Sequence, residues 1–190
     1  RVEMLSALSQ AGIHDFYLQY FQAPGVAETE LERDVGTSIR RIHFSGSGEG
    51  QALIGRPAFG VIERDRGFLG HLVEPTPLPG WWNEADIAHY TAEFTRTGFR
   101  GGLNWYRNIT RSWELLASWR GQSINQPSLF IAGASDDVLK FPSSKPQIEN
   151  FGKTLPGLRG CHVLEGAGHW IQRERAQAVS ALLVGFLDDL

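Results

Sequence analysis

The sequence has little sulfur: one cysteine, Cys161, and one methionine in 190 residues. A lone thiol excludes an internal disulfide framework and offers metal chemistry a single thiolate at most. It reads as a buried core residue and fits a reducing, cytoplasmic setting. No apolar run approaches the roughly 20 residues of a membrane-spanning helix, the late run Ala181-Leu182-Leu183-Val184-Gly185-Phe186 being too short. Neither sign of charge gathers into a block. With 18 basic and 21 acidic side chains the formal charge is -3, which argues against a nucleic-acid partner. No basic and apolar leader follows Arg1, so the expectation is that no targeting segment is present and that the start is an arbitrary cut.

What is present suits a folded core. Hydrophobic residues make up 42% and aromatic residues 11% of the chain, with 22 glycines and nine prolines to turn it. Met4, Leu5 and Leu8 suggest the end of a helix over residues 2–10, stopped near Gly12. An aromatic stretch at 14–22 ends at Ala23-Pro24-Gly25, a turn signal, and is expected to be a structured loop. Leu31, Val35, Ile39 and Ile42 recur every three or four residues, the spacing of one buried helical stripe. Residues 45–80 carry no strong period and are expected to be irregular, with Gly46-Ser47-Gly48-Glu49-Gly50 as a flexible loop; without a following Lys it is no phosphate loop. Asn83 is placed to cap a helix that ends at Gly98, and a further helical pattern runs from Leu103 towards Gly121.

After Pro127 the period changes. Ser128-Leu129-Phe130-Ile131-Ala132 reads as a strand buried on both faces, and Cys161-His162-Val163-Leu164 as a second. A crossover helix fits between them and another at 176–187, which implies parallel α/β layering. Asp136 and His169 follow the two strands, where α/β sheets gather functional side chains. An acid that orients a histidine base fits general-base catalysis. Asp137 is a rival acid, and a loop-capping Asp with a core His is the structural alternative. His14, His43, His71, His89 and His162 have no metal-ligand spacing and read as surface or helix-end residues, so no metal site is expected.

At these residues the sequence resembles the epoxide hydrolases of the α/β-hydrolase superfamily, those related to the mammalian soluble enzyme and its bacterial relatives. Tyr17-Leu18-Gln19-Tyr20-Phe21-Gln22-Ala23-Pro24-Gly25-Val26-Ala27-Glu28 is similar to their entry into the cap, and Leu78-Pro79-Gly80-Trp81 to the approach to a cap helix. Gly98-Phe99-Arg100-Gly101-Gly102-Leu103-Asn104-Trp105-Tyr106-Arg107-Asn108 resembles their second tyrosine motif, and Asp136 with Gly168-His169-Trp170 the late acid and base. The resemblance implies an α/β-hydrolase fold, here a partial core with a mainly helical cap. Residues 1–23 would end a core helix and enter the cap, 24–118 would form the cap, and 119–190 the C-terminal part of the core.

It also implies a mechanism. Tyr17 and Tyr106 would donate to the oxygen of a small lipophilic epoxide while an aspartate attacks carbon. His169, oriented by Asp136, would then activate water to release a vicinal diol, with no cofactor and no metal. Phe21, Trp105 and Trp170 would wall the substrate. Only 16 residues precede Tyr17, and Asp15 lacks the strand-to-elbow setting of a nucleophile. The chain is therefore expected to lack the N-terminal half of the core, its principal partner, and to be inactive alone, with the intact protein in cytoplasmic detoxification. A homodimer is left open. A haloalkane dehalogenase or esterase of the same superfamily would share Asp136 and His169, and a non-enzymatic helical binding module is the other alternative.

Overall fold

The computed structural model describes residues 16–54, 60–62 and 66–190. The helix end expected at 2–10, together with Gly12, His14 and Asp15, lies outside the described residues. The chain divides into two units, the first comprising the described residues up to Ser45 with Leu53–Ala117, the second Gly46–Ala52 with Ser118–Leu190.

The first unit is helical. In order it contains α1 (Tyr17–Tyr20), α2 (Val26–Leu31), α3 (Val35–Gly46, whose last residue belongs to the second unit), and then α5 (Glu84–Thr97), α6 (Arg100–Arg107) and α7 (Ile109–Leu115); α4 (Gly48–Ile54) lies mostly in the second unit. The stripe foreseen at 28–42 is real but split. Leu31 and Ile39 are buried with Val35 and Ile42 packed around them. The chain breaks at 32–34, where Asp34 accepts the Thr37 N–H at 3.0 Å and starts α3. Phe68, Trp82, Ile87 and Leu103 complete this core from later elements. α5 begins as expected, with Asn83 Oδ1 accepting the Asp86 N–H at 3.0 Å.

His43, expected at the surface or at a helix end, lies in the last turn of α3 and takes part in the packing there: Nδ1 lies 2.9 Å from the Ile39 carbonyl and the ring stacks on Trp82 at 5.2 Å. The helical backbone carbonyl four residues back gives the imidazole a polar partner, so its faces are free to be covered by rings.

The second unit carries β1 (Ser128–Gly133) and β2 (Leu158–Leu164), paired in parallel with Leu129 opposite Gly160 and Gly133 opposite Leu164. Between them run a 3₁₀ turn (Asp137–Lys140), α8 (Ser144–Glu149) and α9 (Phe151–Thr154), and after β2 come α10 (Ile171–Glu174) and α11 (Ala176–Asp188). Strand, helix, strand, helix is thus the observed order. β1 is only partly covered, its last two residues alone being buried; among the described residues it has a neighbour on one edge only. Cys161 is exposed, which corrects its reading as core. Its side chain falls on the same side of β2 as Arg159 and Val163, the exposed side of an alternating strand. Leu183, Val184 and Leu187 of α11 are exposed as well, at 45%, 56% and 61%.

Gly46-Ser47-Gly48-Glu49-Gly50 is not a flexible loop. It forms the end of α3 and the start of α4 and packs on residues 166–170. A Cβ on Gly168 would stand 2.5 Å from the Gly46 carbonyl oxygen and 2.6 Å from Gly48 N, so the absent side chains here allow backbone to lie on backbone. Among the described residues no helix is long and apolar enough to cross a membrane.

Candidate active site

Two constellations carry the chemistry expected from the sequence, one in each unit. In the first, Phe16 bridges to Val61 in antiparallel fashion and the Tyr17 N–H donates to the Gly60 carbonyl at 2.7 Å, fixing the start of α1. Gly60, at φ +94, leaves room for the phenol ring, since a Cβ there would sit 2.7 Å from Tyr17 Cδ1. Tyr17 and Tyr106 then meet edge to face, with centroids 5.7 Å apart and planes at 83°. Phe21 touches both, at 5.5 Å from Tyr17 and 5.2 Å from Tyr106, and is itself buried. Burial pushes the Tyr106 phenol above its usual range, which keeps it protonated and a donor.

Tyr20, three residues from Tyr17, has another task. Its hydroxyl donates to Glu30 Oε2 at 2.6 Å, and Glu30 also accepts the N–H groups of Phe68 and Leu69 at 3.1 and 2.8 Å. Burial and that carboxylate raise the Tyr20 pKa far above the ordinary tyrosine value.

Arg107, next to Tyr106, reaches back to the segment after α1. Its guanidinium donates to both oxygens of Glu28, at 2.7 and 2.9 Å, and to the Phe21 carbonyl at 2.9 Å. Glu28 is lowered to about 2, first through these hydrogen bonds. The pair ties the chain following Tyr17 to the helix bearing Tyr106.

In the second unit, Asp136 lies just beyond β1 and His169 beyond β2. The strand ends are laced together: Ala134 N–H donates to the Leu164 carbonyl and Ser135 N–H to that of Ala167, each at 2.9 Å. His169 Nδ1 lies 3.1 Å from Asp136 Oδ2, while Asp136 Oδ1 accepts the Val138 N–H at 2.9 Å. With Nδ1–H donated to the carboxylate, Nε2 holds the lone pair that a general base needs. The hydrogen bond to Asp136 raises the His169 pKa; burial opposes this, and the charges of Asp136 and Glu174 add to the rise. For Asp136 burial works upward, but the bonds from His169 and Val138 prevail and the carboxyl is lowered. The rival Asp137 pairs instead with Lys140 Nζ at 2.6 Å.

Of the expected wall residues, Phe21 sits in the tyrosine cluster, and Trp170 lies against the His169 ring at 4.9 Å. Trp105 is 81% exposed and stands apart from that cluster. Its neighbours Leu103 and Tyr106 take the inward side of α6, and a helix turns about 100° per residue, which carries Trp105 off that side. Glu28, Arg107 and Glu174 escaped the sequence reading, since charged residues spaced far apart give no local signal. The trace that existed was a charge embedded in a dense apolar motif, Glu28 after Pro24-Gly25-Val26-Ala27 and Arg107 after Trp105-Tyr106. Among the described residues no three His, Cys, Asp or Glu side chains cluster as metal ligands.

No protein-family profile matches the chain. It is 42% identical over 184 residues to epoxide hydrolase A of Mycobacterium tuberculosis, covering 96% of this chain and 55% of that protein. Among solved structures it is similar to an epoxide hydrolase from an endophytic Streptomyces, with TM-score 0.87, 40% identity, and coverage of 96% of this chain and 55% of the other. It is also similar to epoxide hydrolase A of Mycobacterium thermoresistibile, at TM-score 0.80 and 42% identity, over 96% and 56% of the two chains. The chain thus spans about half the length of the relatives it matches. By sequence and by architecture, the chain resembles the helical cap and part of the core of epoxide hydrolases of the α/β-hydrolase fold, over about half of their length.

Proposed function

We propose that the intact protein hydrolyses a small lipophilic epoxide to a vicinal diol. Tyr17 and Tyr106 donate to the epoxide oxygen as an aspartate, contributed by core residues outside this chain, attacks carbon and forms an alkyl ester. His169, held by Asp136, takes a proton from water, and the hydroxide formed attacks the ester carbonyl. The adduct expels the alkoxide, the protons on His169 and on the newly formed aspartic carboxyl pass to the two diol oxygens, and the diol leaves with His169 and the aspartate regenerated. The observation that carries the reading is the edge-to-face pairing of Tyr17 with Tyr106, because Asp136 and His169 serve several hydrolytic reactions and paired phenols suit an opening epoxide oxygen. Phe21 and Trp170 supply apolar wall.

The 190-residue chain alone is inactive in this reading, and the exposed α11 face and, among the described residues, the unpaired edges of the two-stranded sheet support completion by the other half of the core. The enzyme works in the cytoplasm. The test is single-turnover incubation of the intact protein with styrene oxide. A transient covalent adduct on an aspartate followed by diol is expected. Absence of both, with halide release from a haloalkane or turnover of a carboxylic ester, would overturn the reading in favour of those reactions.

A further inference from the structure

Two carboxylates are buried among the described residues, Glu28 and Glu174. Glu28 has a guanidinium. Glu174, 8% exposed, is met by backbone: Oε2 accepts the N–H groups of Gly48 at 2.8 Å and Gly168 at 2.9 Å, and Oε1 accepts that of Trp170 at 3.1 Å. A carboxylate withdrawn from water persists where donors replace its hydration, and these three do so.

Their location is informative. Gly168 and Trp170 flank His169, whose own N–H donates to the Gly46 carbonyl at 2.8 Å. Three consecutive amides are therefore anchored, two of them by a single carboxylate that also grips the start of α4. The glycines at 46, 48 and 168 allow the approach, since a Cβ on Gly48 would stand 2.9 Å from the Gly166 carbonyl oxygen. The imidazole hangs from the middle of this clamp, and its bond to Asp136 at 3.1 Å tolerates little displacement.

We propose that Glu174 is a positioning residue for His169: by holding the N–H groups on either side of it, the carboxylate fixes the imidazole on Asp136. The kinetic consequence rests on His169 being the base of ester hydrolysis; the geometric one does not. Replacing the carboxylate by an amide, as in Glu174→Gln, points an NH₂ at groups that are themselves donors, so the clamp loosens on at least one side.

The test uses the intact protein with Glu174→Gln. Proton NMR should show the downfield His169 Nδ1–H signal broadened or lost through faster exchange. Rapid kinetics with styrene oxide should show ester hydrolysis slowed on the order of 100-fold, with ring opening unchanged, so that the alkyl enzyme accumulates. Glu174→Asp, which keeps the charge but shortens the reach, should show the same split at smaller size and serves if the Gln variant fails to fold. An unaltered Nδ1–H signal overturns the proposal, as does a parallel loss of both steps, which would mark a merely structural role. If the wild-type protein forms no diol, the proposed reaction fails while the NMR comparison still decides the role of Glu174.

Discussion

Arg107 closes on both oxygens of Glu28, and both side chains are only 11% exposed. Desolvating two charges is costly, and here the cost is offset by a bidentate pair plus a bond to the Phe21 carbonyl. Removing one partner strands the other. Arg107→Ala should destabilise the first unit by about 3 kcal/mol in urea unfolding, whereas a loss within a few tenths would show the pair to be superficial.

The same pair sets an acid limit. Glu28 is lowered to about 2 from its ordinary 4.5, so its contribution is complete above the unfolded value and is lost as pH falls through about 2. The stability gap between the wild type and Glu28→Gln should therefore be constant from pH 7 to 5 and narrow below about 4.5. A gap independent of pH down to 2 would contradict the assigned pairing.

For the tyrosines, Tyr17→Phe and Tyr106→Phe each remove one donor and leave the ring packing in place. Ring opening in the intact protein should slow by roughly 100-fold for each. Pre-steady-state adduct formation measures it. Tyr20→Phe should instead leave ring opening intact and lower stability, because its hydroxyl is committed to Glu30.

His169 must be neutral to accept a proton, and its pKa is raised from 6.5 by Asp136. The acid limb of ester hydrolysis should consequently lie above pH 6.5. The stabilising His169–Asp136 ion pair behaves in the opposite sense, being full below 6.5 and lost as pH rises through the elevated value. Asp136→Asn should slow ester hydrolysis by roughly 1,000-fold, measured as decay of the alkyl enzyme; decay at the wild-type rate would remove Asp136 from the mechanism.

Asn83→Ala should cost about 1 kcal/mol, since the amide of Asp86 loses its acceptor at the start of α5. Thermal melting of the intact protein gives the comparison, and Asn83→Asp should preserve stability.

The sequence by itself determined those features whose causes are local. The cap at Asn83, the strand at 128–133 and the inward stripe of Leu31 and Ile39 follow from spacing and backbone preference, and appear where those preferences place them. Tyr17, Tyr106, Asp136 and His169 were marked by short motifs that survive in a linear reading. Tertiary structure alone decided the rest. Cys161 faces outward because pairing sets which side of β2 is covered, and His43 turns inward because Trp82, distant in sequence, stacks on it. The run of glycines at 46–50 looked pliable, yet it packs closely on the loop that carries His169. Glu174, too, is an ordinary charged residue in the string of letters. Only when folding brings Gly48, Gly168 and Trp170 around it does a buried carboxylate gain its donors, because hydrogen bonds depend on distance in space rather than along the chain.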